Sequence, residues 1–146
     1  MRKILVLLGV ALGSVLAFQY WEYRARLGLV PPCLQVSRLL YAKEKVWGWG
    51  PGGHEAGLLV FALPDSIALN PNFRQACPLP WLQTPGDRPL AHFLNSPSFD
   101  LSIDPALATA IDQAFRQPGS YYHRLHPGRL LLVIPSQKRV VYAYAG

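Results

Sequence analysis

From Ile4 to Phe18 the chain carries no charge, between a cationic start, Arg2-Lys3, and a polar–aromatic run, Gln19-Tyr20-Trp21-Glu22-Tyr23-Arg24. Fifteen residues of helix rise about 22 Å, and extension to Trp21 gives about 27 Å, against a bilayer core of about 30 Å. That length suits the apolar region of a signal peptide and lies at the lower limit for a membrane span. Phe18, Tyr20, Trp21 and Tyr23 stand where an interfacial aromatic belt would, with Arg24 and Arg26 behind them. The best small-residue cleavage site, Val15-Leu16-Ala17, has Val at its first position. The pattern predicts residues 1–27 as a signal-anchor or signal peptide and residues 28–146 as an extracytoplasmic α+β domain. Residues 4–21 would meet the membrane. Cations on both sides leave the orientation to the extra charge of the amino terminus, which favours an N-terminus inside.

Beyond Gly28 the pattern changes repeatedly. Val36 to Trp47 fits a strand, although Leu39 to Lys45 also fits a helix, and periodicity does not separate them. Trp47-Gly48-Trp49-Gly50-Pro51-Gly52-Gly53 demands a loop. Gly57 to Leu63 is a continuous apolar run stopped by Pro64, which reads as a strand. Asp65 or Ser66 opens a short helix that Asn70-Pro71 interrupts. From Cys77 to Pro97 five prolines predict irregular coil, with a single turn at Leu90 to Leu94. Asp104 as N-cap, Pro105 behind it and an apolar repeat at Leu107, Ile111 and Phe115 predict a helix to Gln117, which Pro118-Gly119 ends. Leu130 to Ile134 and Val140 to Tyr144 predict a hairpin. The expected fold is α+β: a small antiparallel sheet of three or four strands with one main covering helix, preceded by the N-terminal hydrophobic helix.

Composition narrows the class. Apolar residues make up 51% and charged residues 15%, which argues against disorder. The net charge of +6 is shared between the apolar leader and the rest: from Leu27 onward ten Lys and Arg face seven Asp and Glu, a balance of +3. A nucleic-acid binder concentrates its cations on the folded part, so nucleic acid is not an expected partner.

Cys33 and Cys77 are the only thiols, and an even count in an exported domain predicts a disulfide between them. Two distant cysteines without paired spacing do not form a metal site.

The chemistry-bearing candidates are few. Tyr121, Tyr122 and His123 belong to the densest polar–aromatic cluster, and His126 stands three residues after His123. That spacing would serve a metal only on a helix, and Pro127-Gly128 argues for a loop or strand end. Trp47, Trp49 and His54 lie in or beside the glycine-rich loop, where tryptophans anchor partners or pack over the sheet edge. Gly50-Pro51-Gly52-Gly53 lacks the Gly-Lys-Ser/Thr ending of a phosphate loop. Ser66 follows a strand without a Gly-x-Ser-x-Gly setting, and His54, His92, His123 and Asp100 are no more than possible partners for it. No cofactor, metal or catalytic set is expected. The reading that results is a bacterial inner-membrane protein, single-pass with its domain in the periplasm, or secreted there after cleavage. It acts by protein–protein or cell-wall interaction as an accessory subunit, inhibitor or immunity-like module. The alternative is a small exported hydrolase using His, Ser and Asp side chains.

Overall fold

The structure is a computed structural model, and it describes residues 2–47, 54–86, 101–126 and 128–146. Helix α1 (Arg2–Leu27) runs for 26 residues, about 39 Å. Its side chains from Leu7 to Trp21 are exposed on every side, Leu7 at 69% and Trp21 at 67%. Among the described residues, no helix is long and apolar enough to cross a membrane. Gly28 continues the helical hydrogen bonding to Arg24 and Ala25, and Val30 then turns into the core.

The remainder is built on an antiparallel sheet. Its strands are β1 (Leu39–Trp47), β2 (His54–Ala62), β3 (Leu82–Gln83), β4 (Tyr121–His126), β5 (Arg129–Ile134) and β6 (Arg139–Ala145). They lie in the order β1-β2-β6-β5-β4-β3. Two hairpins, β1–β2 and β5–β6, lie side by side through the β2–β6 pairing, so the apolar runs of β2, β5 and β6 form a buried centre. Such runs are apolar at consecutive positions because both faces of the sheet are covered.

One face carries Ala56, Leu58, Val60, Tyr122, Leu130, Leu132, Val141 and Ala143, and helix α4 (Pro105–Arg116) lies on it through Ile111, Ala114 and Phe115. The Asp104 carboxylate accepts from the Leu107 N–H at 2.8 Å and caps that helix. The other face carries Leu59, Phe61, Leu131, Val133, Val140 and Tyr142. Its cover is the segment around Val30 and Leu34, with the short helices α2 (Asp65–Ala68) and α3 (Phe73–Ala76) and Trp81.

The expected sheet of three or four strands is therefore corrected to six, and the single covering helix to two cover layers. Three local causes account for the difference. Leu39 to Trp47, ambiguous by periodicity, becomes a strand because β2 offers it a full partner from Phe61 to His54. The polar–aromatic run is strand β4, which ends at His126 as the strand-end reading of Pro127-Gly128 has it, and β5 follows with Gly128 at φ +83°. Leu82 and Gln83, inside the proline-rich stretch, pair with Tyr122 and Tyr121 at the sheet's border, where prolines before and after a strand are tolerated.

Candidate functional site

The cluster Tyr121-Tyr122-His123 is divided by the pleat of β4. Tyr121 and His123 pair with Val133 and Leu131 and share the face of the disulfide layer. Tyr122 pairs with Leu132, is buried under α4 with its ring 5.0 Å from that of Phe115, and carries the Arg124 guanidinium 5.9 Å above it. Neighbours in sequence thus end on opposite sides of the sheet.

On the disulfide face the half-buried Tyr121 and His123 meet aromatics from the cover. Phe73 lies edge-on to Tyr121 at 4.8 Å and 5.5 Å from Trp81, and Trp81 meets His123 edge-on at 6.2 Å. The Trp81 indole N–H donates to Cys77 O at 2.8 Å, and Arg74 stands over the Tyr121 ring at 5.5 Å. These are the geometries of a packed aromatic layer.

Trp47 and His54 are paired residues at the mouth of the β1–β2 hairpin, so both belong to strands and not to the loop. Their side chains, that of His126, and the whole of Trp49, Leu90 to Leu94, His92 and Asp100 lie outside the described residues. Ser66 is exposed on α2, with no hydrogen bond joining it to His123. Among the described residues no group of His, Cys, Asp and Glu could hold a metal ion. Cys33 and Cys77 form the predicted disulfide, with Cα atoms 5.1 Å apart, and close a loop 44 residues long.

The most organised polar group is one that sequence reasoning missed. Glu44, Gly57 and Tyr144 sit side by side on β1, β2 and β6. The Tyr144 phenol donates to Glu44 Oε1 at 2.9 Å, and Arg26 of α1 holds Glu44 Oε2 at 2.6 Å and Glu22 at 2.9 Å. A second tie joins α1 to the sheet's entry: the Tyr23 phenol donates to Ser37 O at 3.0 Å. Burial, then the hydrogen bond to Glu44, then the charges of Glu44 and Glu55 hold the Tyr144 phenol well above its ordinary range. The phenol is thus a committed donor at neutral pH. One signal in the sequence pointed here: the lone Gly57 in an otherwise apolar strand marks a close approach of another group.

Compared with protein-family models, with curated proteins and with solved structures, the chain matches none.

Proposed function

We propose that the protein is a bacterial-type envelope protein, held in the inner membrane by α1 with its domain in the periplasm. In this reading the domain acts through contacts with another protein or with the cell wall, as an accessory subunit, inhibitor or immunity-like module. The observation that carries the reading is α1 itself. Its side chains from Leu7 to Trp21 are mostly apolar, exposed on all sides and unmatched by any cover among the described residues of the domain. A helix apolar all round is stable only when something other than water surrounds it. With Ile4 to Val6 added from the sequence, the apolar stretch reaches about 27 Å at Trp21, a modest mismatch that a bilayer absorbs by thinning. The Cys33–Cys77 disulfide supports an oxidising compartment outside the cytoplasm. The hydrolase alternative gains no support, because Ser66 is solvent-exposed and His123 is packed against Trp81.

Three measurements test the proposal together. A C-terminal reporter active only outside the cytoplasm should be active, and the protein should stay with membranes in alkaline carbonate. N-terminal sequencing should recover the uncleaved start; a mature form beginning after the apolar run would replace the anchored protein by a secreted one. Capture from detergent-solubilised membranes should return a reproducible partner or wall fragment, and its repeated failure overturns the contact reading.

A further inference from the structure

We infer that the outer edge of β1 rests on a lipid surface bearing anionic headgroups, touching it through Arg38 and Lys43 together with Arg24 of α1. This rests on the proposed embedding of α1 and names the second surface which that embedding would engage.

Two contacts carry the inference. Tyr23 to Ser37 O at 3.0 Å and Arg26 to Glu44 at 2.6 Å bring β1 and its lead-in against the last turns of α1. The exposed apolar stretch of α1 ends at Trp21, and these two contacts set β1 and its lead-in beside the turns that follow it. Trp21 to Arg26 spans about 7.5 Å along the helix axis, and the polar zone outside the hydrocarbon is about 5–7 Å thick. With Trp21 at the boundary, Arg26 and the strand it grips stand at the outer limit of the headgroup zone. That is within the Debye length of about 8 Å for lipid phosphates.

The charge at this edge has the right sign. β1 is the outermost strand and pairs on one side only, with β2. Arg24, Arg38 and Lys43 are exposed and have no ion pair among the described residues. Of the neighbouring carboxylates among the described residues, Glu22 and Glu44 are both held by Arg26, which leaves Glu55 on β2. Lys43 leaves β1 on the face opposite Glu44. At an outermost strand, however, a long side chain from either face can lay its stem along the edge and place its head at the lipid. Lysines on a border strand also discourage strand-to-strand aggregation, a role that needs no lipid, so the test must read contact with headgroups directly.

The full chain is reconstituted into vesicles of phosphatidylcholine alone and into matching vesicles containing phosphatidylglycerol. Flotation reads embedding, and acylation of Lys43 by a membrane-impermeant amine reagent, followed by mass spectrometry, reads the edge. A surface potential of about −30 mV raises proton activity there roughly threefold, so labelling of Lys43 should slow about threefold or more in the anionic vesicles. High salt should restore it, and the Arg24→Glu/Arg38→Glu chain should show a smaller slowing at unchanged thermal stability. Flotation with both vesicles and equal Lys43 labelling overturns the inference and leaves the anchor intact. Failure to float with phosphatidylcholine overturns the anchor, and the inference with it.

Discussion

Tyr144 reaches Glu44 by laying its ring across Gly57, the residue between them on the central strand of the three. A Cβ at residue 57 would fall inside the ring. Gly57→Ala must therefore displace Tyr144 and break its bond to Glu44, so overpacking outweighs alanine's advantage in the unfolded chain. The expected cost is about 1–3 kcal/mol, visible as a thermal midpoint lowered by several degrees. A variant as stable as the parent would show that the ring does not need this passage.

The raised phenol of Tyr144 gives the same contact a pH dependence. The folded state holds this proton more tightly than the unfolded chain, whose phenol titrates near pH 10. Its contribution to stability is therefore complete below about pH 10 and is lost as pH rises beyond it. Denaturant melts between pH 8 and 11 should show a steeper alkaline decline for the parent than for Tyr144→Phe. Equal slopes would place the ionisation elsewhere.

The disulfide ties Val30 and Leu34 to the layer formed by Phe73 and Trp81. A closed loop of 44 residues restricts the unfolded chain by about 4 kcal/mol on the chain-entropy model. Cys33→Ser/Cys77→Ser should lose a large part of that in urea. The sheet-and-α4 face should be less affected, so hydrogen exchange should rise first in residues 28–36 and 63–81.

How far the residues disclosed this fold depends on whether each signal is local. α4 was legible because its cap, its first-turn proline and its apolar repeat all lie within twelve positions. The β5–β6 hairpin was legible for the same reason. β1 was not, since Lys43-Glu44-Lys45 suits a helix as well as a strand and only β2, across the turn, decides between them. The second cover layer was invisible because it joins Val30, Phe73 and Trp81 across some fifty positions. Tyr121, Tyr122 and His123 looked like one site because sequence adjacency was read without the pleat that separates them. The junction of Arg26, Glu44 and Tyr144 spans nearly the whole chain, and of its members only Gly57's position left a trace.

Thr84 holds the proline-rich stretch to the end of α4. Its buried hydroxyl donates to Gln117 O at 2.6 Å and accepts from the Ser120 N–H at 3.0 Å. Thr84→Val keeps the volume but leaves the buried Ser120 N–H and the partly exposed Gln117 carbonyl without their partner, at about 1–3 kcal/mol. A loss well under 1 kcal/mol in equilibrium unfolding would mean that water replaces the hydroxyl.

Arg26 is the single cation that binds α1 to the sheet among the described residues, and its removal has two consequences of different size. Arg26→Ala leaves Glu22 and Glu44 facing the same space without a counter-charge, while Tyr144 still donates to Glu44. Both partners are about a quarter to a half exposed, so water repays much of the loss and global stability should fall by only about 1 kcal/mol. The local effect should be larger, because among the described side chains of α1 only Tyr23 then keeps a hydrogen bond to the rest of the domain. Trypsin should cleave after Arg24 several-fold faster in detergent-solubilised Arg26→Ala than in the parent, while the thermal midpoint of the domain barely moves. Tyr23→Phe combined with Arg26→Ala should accelerate cleavage further. If instead the double variant is cut at the parental rate, the packing of Leu27 against the core, and not these polar contacts, holds the helix to the sheet.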